Sequence, residues 1–277
     1  MLRTVLFTFI HLFLLAGCST PLERAERALA DGDLLAAEGV YREMLAERPD
    51  DVEALYGLGW TWHLAGQTDA AEDTFRRCIT VNPESSLGYK GLGSTEMARG
   101  NTAAARRAFE EAQKRAPDDL AIRHSVALLE LSTGRHAEAL ALFSSLSDAD
   151  PKQALYHLGR AEALLWLDRD EEALSASASA VELASDRRTR ALSRINRARV
   201  LVKLTQDRVT PERCETAALP VYAWLEEAER LLDEAEVVGI VLPELGETRR
   251  VVRRRRGAID DLCPGHRAAA AAKVEDG

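Results

Sequence analysis

The sequence has few aromatic residues, few cysteines and a deficit of positive charge, and each shortage excludes a class of protein. Aromatic residues make up 5% of the 277 residues and cysteine occurs four times, so a dense disulfide framework is excluded. Lys and Arg number 36 against 45 acidic residues, and the net charge of −9 gives no reason to expect nucleic-acid binding. Alanine is abundant instead, which favours closely packed helices.

Catalytic and metal-binding motifs are also missing. The chain has no HExxH, GxSxG or phosphate-loop motif, and its six histidines show no paired metal-ligand spacing. The run GYKGLG at 88–93 imitates a dinucleotide fingerprint, but no strand is predicted before it. We therefore expect no enzyme, no cofactor and no metal. A cryptic enzyme within residues 187–277 is the alternative from another class.

The N-terminus has the composition of an export signal. Arg3 precedes an apolar run at 5–15, and these 11 residues are too few to span a bilayer, which needs about 20. The sequence LAGC at 15–18 follows at once and resembles the lipobox of bacterial lipoproteins at every position. This resemblance implies cleavage before Cys18 and lipid on that cysteine. The next residue, Ser19, implies the outer membrane of a Gram-negative bacterium, facing the periplasm. A plain secretory signal with an incidental cysteine is the alternative.

Prolines mark an internal period. Pro49, Pro83, Pro117 and Pro151 follow one another at intervals of 34 residues, which is a helix–turn–helix period. A glycine marks each mid-repeat turn, where a left-handed backbone costs least for Gly. These glycines are Gly66, Gly100 and Gly134.

The same residues resemble the tetratricopeptide repeat (TPR). The second repeat is the clearest match, with Leu55, Leu58, Gly59, Trp62, Ala71, Phe75 and Pro83. The resemblance implies an all-α superhelical solenoid of antiparallel helix pairs, with about five repeats in residues 18–186. The register is then lost, and we predict a degenerate repeat and a helical cap at 187–265, with helices near 216–238 and 242–262. Residues 1–17 are the predicted signal peptide and 266–277 a flexible tail.

The first helix of each repeat lines the inner groove of such a solenoid at fixed positions. Repeats 2 to 4 then give a semi-apolar floor with a few polar points, formed by Tyr56, Trp60, His63, Lys90, Ser94, Met97, His124, Leu128 and Leu131. With a single Lys and no Arg or Asn, this set disfavours the clamp that holds C-terminal carboxylates. It favours an extended or helical apolar peptide. Trp60 is about 200° around the helix from Trp62, which occupies a consensus core position. We therefore predict Trp60 in the groove.

The three other cysteines have different expected roles. Cys78 takes the place of a small core residue, which predicts a buried thiol. Cys214 and Cys263 flank the predicted cap, and the periplasm is oxidising. A disulfide between them would close a loop of roughly 50 residues and contribute up to about 4 kcal/mol. Two free thiols are the alternative.

A run of six arginines stands near the C-terminus, in RRVVRRRRG at 249–257. The simpler interpretation is a solvated helix face paired with the acidic residues at 226–236. The alternative is contact with anionic lipid headgroups, peptidoglycan or an acidic partner through Arg249, Arg250, Arg253 and Arg254.

Together these patterns predict a non-enzymatic, lipid-anchored scaffold that binds envelope proteins. The plan resembles pilotins that assemble type IV pilus secretins, TPR components of gliding-motility complexes, and the outer-membrane protein assembly lipoprotein. The expected partner is accordingly a secretin, a motility-complex component or a barrel protein. Pilus or motility assembly is favoured because the repeats begin almost at Cys18. An adaptor for cell-wall hydrolases or synthases is the alternative.

Overall fold

A computed structural model describes residues 19–206, 208–210, 213–239 and 242–264, and over these ranges the chain forms thirteen α-helices and no strand. The predicted all-α fold class is confirmed. The predicted signal peptide, Cys18 and the predicted tail lie outside the described residues. Contacts divide the chain into two compact units, with the boundary between Pro117 and Asp118. The domain boundaries proposed from the sequence stay predictions.

Unit one is built from three consecutive helix hairpins. Its helices are α1 (Pro21–Asp31), α2 (Leu34–Glu47), α3 (Val52–Leu64), α4 (Thr68–Val81), α5 (Ser86–Ala98) and α6 (Thr102–Arg115). The second helix of each hairpin packs against the first helix of the next, α2 against α3 and α4 against α5. The tandem hairpins expected from the period are therefore present in this unit.

Unit two continues the same register before departing from it. Its helices are α7 (Leu120–Ser132), α8 (His136–Ala149), α9 (Ala154–Trp166), α10 (Asp170–Leu183), α11 (Arg187–Leu204), α12 (Cys214–Val237) and α13 (Pro243–Leu262). The first seven hairpin positions up to α9 keep the 34-residue spacing, whereas α11 to α13 are longer. α13 packs against both α11 and α12. The two last helices lie within two residues of the predicted ranges.

Each regular hairpin turns at a residue with a left-handed backbone. Gly66, Gly100 and Gly134 have φ angles of 74°, 78° and 79°, as the sequence predicts. Gly32 holds the same position one repeat earlier, with φ 78°. The fifth position in this register is Asp168, with φ 54°, a conformation that costs a non-glycine residue free energy.

Close packing between hairpins depends on glycines that face aromatic rings. The ring belongs to the second helix of one hairpin and the glycine to the first helix of the next, 16 residues later. The pairs are Tyr41 with Gly57, Phe75 with Gly91, and Phe143 with Gly159. A Cβ at any of these glycines would lie 2.2 Å from the nearest ring carbon. Because the rings are buried, only a residue without a side chain lets the helix backbone lie on them.

The first helix begins immediately after the predicted anchor. The Oγ1 atom of Thr20 accepts a hydrogen bond from the backbone N–H of Glu23 at 3.2 Å, and the Glu23 carboxylate accepts one from the N–H of Thr20 at 2.9 Å. Pro21 occupies the first helical position. This capping box fixes the helix start three residues after Cys18.

The C-terminal helices of unit two enclose the most extensive apolar core among the described residues. A disulfide joins Cys214 at the start of α12 to Cys263 just after α13, with Cα atoms 5.5 Å apart. It therefore links the far ends of the two longest cap helices. No helix in the described ranges combines the length and apolarity needed to cross a bilayer.

Candidate functional site

An aromatic cluster with one cation lies on the first helices of unit one. On α3 the Tyr56 and Trp60 rings stack with centres 6.3 Å apart, and Trp60 stacks on His63 at 4.9 Å. Spacings of four and three residues put these side chains on one helix face. Lys90 of α5 places its Nζ 4.9 Å from the centre of the Tyr56 ring, a distance typical of a cation–π contact. We call Tyr56, Trp60, His63 and Lys90 the aromatic patch.

The aromatic patch is partly exposed and separate from the packing of the second tryptophan on α3. All four of its side chains are half-buried. Trp62 packs instead against the core cluster that contains Ala37 and Tyr41, with the Arg42 guanidinium 5.1 Å from its ring centre. The two tryptophans therefore face different neighbours, in the way their angular separation on α3 suggests.

The charge of the patch resides on Lys90. Burial lowers the pKa of His63 below its ordinary value, because desolvation disfavours the charged imidazole. Its Nδ1 atom is buried and has no hydrogen-bond partner among the described residues. His63 is therefore neutral at neutral pH, and the patch is an apolar surface with one cation at its edge. Such a surface suits an apolar or aromatic peptide side chain followed by a backbone or side-chain oxygen.

One residue predicted for the groove floor adds nothing to its surface. Ser94 on α5 is buried, 6% exposed, and its hydroxyl donates to the Lys90 carbonyl at 3.1 Å. The prediction for Ser94 is corrected, because a hydroxyl that bonds to its own helix is not available to a partner. Met97 on the same helix is half-buried.

The predicted groove residues of unit two form no matching aromatic platform. His124 on α7 packs its ring 5.9 Å from Phe143 and 5.5 Å from Tyr156, and burial lowers its pKa to about 4. Leu128 and Leu131 are half-buried and pack against a core cluster. In this unit the predicted positions belong to the margin of the core, with a neutral imidazole beside two rings.

The arginine run divides into bonded and exposed members. Arg249 donates to Asp233 at 2.7 Å and to Glu236 at 2.8 Å, and Arg256 pairs with Glu229 at 3.0 Å. Arg255 donates to the Thr205 hydroxyl at 3.0 Å. These contacts follow the simpler interpretation of the run, and Arg249 is removed from the predicted patch because its charge is already neutralised.

The other three arginines predicted for that patch remain available. Arg250, Arg253 and Arg254 are exposed on α13 and have no ion-pair partner among the described residues. Their spacing of three and four residues puts Arg250, Arg253 and Arg254 on one helix face.

The cysteines and the other titratable groups offer no reactive centre. Cys78 is a buried free thiol whose pKa is raised to about 11 by burial, so it is protonated and inert at neutral pH. Within the described part of the chain, no three His, Cys, Asp or Glu residues come together to hold a metal ion.

Sequence analysis missed one exposed aromatic residue. Trp166 at the end of α9 is 58% exposed, although it directly follows the predicted inner-face residue Leu165. It lies beside a cleft whose far wall is α13. A tryptophan at the end of a first helix was the available signal, but α13 lies beyond the register of the repeats, so spacing could not place it.

Comparison with known proteins agrees with this architecture. The family model of the tetratricopeptide repeat matches residues 22–85, 90–154 and 127–188. No curated protein sequence matches the chain. A tetratricopeptide repeat protein from Parabacteroides merdae has 17% identity and a TM-score of 0.63, with 84% of this chain and 83% of that chain covered.

Two further solved structures have the same arrangement of helices. The TPR protein TTC0263 of Thermus thermophilus has 23% identity and a TM-score of 0.59, with 66% of this chain and 97% of that chain covered. Pseudomonas aeruginosa pilF has 15% identity and a TM-score of 0.56, with 83% of this chain and 95% of that chain covered. At these identities the likeness shows the fold alone.

Proposed function

Because the chain belongs to the tetratricopeptide repeat family, whose repeats typically serve as non-enzymatic scaffolds for protein–protein interaction, we propose that it is a lipid-anchored adaptor. It is held at the outer membrane, faces the periplasm and binds an envelope protein. Its task is the assembly of a pilus, a secretin or a gliding-motility complex.

The observation that carries the binding proposal is the aromatic patch. Aromatic side chains dominate binding free energy at protein interfaces, and here three stacked rings are already ordered by contact with one another. Preformed rings lose little side-chain entropy when a partner binds. An apolar or aromatic peptide segment packed on Trp60, with an oxygen near Lys90, would use every group of the patch.

The anchoring proposal rests on the sequence LAGC and on the start of α1. Acyl chains on Cys18 would hold the protein at a membrane because each buried methylene contributes about 0.8 kcal/mol. The Thr20 capping box leaves almost no linker between that cysteine and the first repeat. Unit one would then lie close to the membrane surface.

Anchoring is tested by replacing the cysteine and by lengthening the tether. Cells fed labelled palmitate should label the wild-type chain and not Cys18→Ser, and the variant should leave the membrane fraction. A long flexible insertion after Thr20 should keep the label and lower activity in the assembly process. Unlabelled wild-type protein would refute the anchor, and full activity of the insertion variant would refute the importance of the short tether.

Partner binding is tested by crosslinking in cells followed by mass spectrometry. We expect a secretin, a motility-complex component or a barrel protein to be captured by the wild type and lost in Tyr56→Ala/Trp60→Ala. Lys90→Glu keeps all three rings and should weaken capture by itself. Leu35→Ala is the matched control, because Leu35 is 82% exposed on α2 and outside the patch. Equal capture by all variants would refute the patch as the binding site.

The preference for pilus or motility assembly rests on the plan of the chain and on no structural neighbour. Capture of a cell-wall hydrolase or synthase by the wild type and its loss in the patch variants would keep the scaffold role and replace the process.

A further inference from the structure

Unit two contains a cleft that is independent of the aromatic patch. The cleft has a volume of about 410 Å³ and lies between the end of α9, the second half of α11 and the first half of α13. Leu165, Trp166, Val202 and Val251 give it an apolar floor. Its size falls within the range of sites that bury a small molecule or a few peptide side chains.

Trp166 is exposed but held in one orientation. Its ring stacks on His136 with centres 5.1 Å apart, and its Nε1 donates to the Glu162 carboxylate at 3.2 Å. Val251 across the cleft is 42% exposed. Two apolar side chains on opposite walls therefore face solvent, and the larger one is already ordered for contact with a partner.

The cations beside the cleft are neutralised within the protein. Arg199 makes two hydrogen bonds to the Glu162 carboxylate, at 2.7 and 2.9 Å. Lys203 pairs with Asp168 at 2.7 Å. These charges hold α9 and α11 together, and they leave little net positive charge for a ligand.

The acidic residues on the opposite wall are not neutralised in this way. Glu244 and Glu247 line the cleft from the first turns of α13, and both are exposed. Neither has an ion-pair partner among the described residues. The uncompensated charge of the cleft is thus negative, beside an apolar floor.

We propose that this cleft docks a short segment of a protein partner in which a large apolar side chain is flanked by lysine or arginine. The apolar side chain packs on Trp166 between Val202 and Val251, and the flanking cations pair with Glu244 and Glu247. Charge of opposite sign selects this class of segment against acidic ones and speeds its association. The scaffold would then have two docking sites of different chemistry, one on each unit.

Fluorescence anisotropy with two labelled peptides tests the proposal on the full chain in detergent. One is a capped octapeptide with a Leu-Phe pair between lysines, and the other has glutamates in place of the lysines. We expect saturable binding of the basic peptide, at least tenfold tighter than that of the acidic one, and weaker at high salt. Trp166→Ala and Glu244→Lys/Glu247→Lys should each weaken it at least tenfold.

Two controls separate this site from general charge effects and from the aromatic patch. Glu110→Lys/Glu182→Lys makes the same change in net charge at exposed acids outside the cleft and should change affinity less than twofold. Tyr56→Ala/Trp60→Ala should also bind the basic peptide normally, so failure at one site is distinguishable from failure at the other.

Several results would overturn the proposal. They are the absence of saturable binding up to about 1 mM peptide, equal affinity for both peptides, and unchanged binding by the cleft variants. A dimer in sedimentation that Trp166→Ala dissociates would assign the cleft to a second copy of the chain. Binding that appears only after deletion of residues 266–277 would assign it to the chain's own C-terminal segment.

Discussion

The contact between Phe75 and Gly91 should make alanine destabilising at a helical position where it normally stabilises. Gly91 lies within α5, where Gly→Ala alone would gain about 1 kcal/mol of helix propensity. Its new Cβ would stand 2.2 Å from Cε1 of Phe75, whereas unstrained carbons lie roughly 3.5–4 Å apart. The ring cannot simply retreat, because it is fully buried and its other side is against Gly59. Overpacking of this kind costs about 1–3 kcal/mol or more.

We therefore expect Gly91→Ala to lower the free energy of unfolding by a net of about 1–2 kcal/mol, measured by urea unfolding followed with circular dichroism. Gly39→Ala is the matched control on α2. Gly39 is exposed and a Cβ there would meet nothing within 4 Å, so this variant should gain about 0.5–1 kcal/mol. Stabilisation of similar size by both variants would refute the ring-on-glycine packing.

A double variant locates the clash. Phe75→Leu removes part of the ring and costs stability by itself, since it leaves a cavity. In Gly91→Ala/Phe75→Leu that space accepts the new methyl group, so the combined loss should be smaller than the sum of the single losses by at least about 0.5 kcal/mol. Strict additivity would show that the alanine strains some other contact.

Three further predictions concern unit two. Cys214→Ser/Cys263→Ser should lower its unfolding free energy by up to about 4 kcal/mol, and dithiothreitol should reproduce that loss in the wild type but add none to the variant. Asp168→Gly should gain about 0.5–1 kcal/mol in urea unfolding, because it relieves the left-handed backbone and loses only the ion pair of an exposed carboxylate with Lys203. The pKa of His124, lowered to about 4, means that only the unfolded chain takes up a proton between pH 6.5 and 4. Stability should fall across that window by up to about 2 kcal/mol, and His124→Phe should flatten the pH profile; an equal slope in both proteins would contradict this origin.

The period and the turns were predictable from sequence because they depend on local backbone chemistry. Proline ends a helix and glycine adopts the left-handed turn wherever the chain needs them, so Gly66, Gly100 and Gly134 were identified correctly. Asp168 was missed because a non-glycine residue at that position carries no compositional signal. The ring–glycine pairs were missed because a glycine inside a helix reads only as a weak helix former.

The site was predictable only in part, since repeat position gives the direction of a side chain and not its burial. Trp60 and Trp62 were separated by their angle around α3. Ser94 was misplaced because the neighbouring helices cover it, which its own helix does not reveal. The cleft beside Trp166 needs α13 as its second wall, and α13 follows no repeat register.

The constant distance of 16 residues from ring to glycine makes the hairpins of this chain interchangeable. Removal of residues 52–85 would bring Gly91 into the position of Gly57, so that Tyr41 would meet a glycine as it does now. Duplication of the same stretch would likewise create a complete new interface at both of its ends. A gene encoding such a chain can change its length by whole repeats, without any compensating substitution in the core, and so adjust the distance between what its two ends hold.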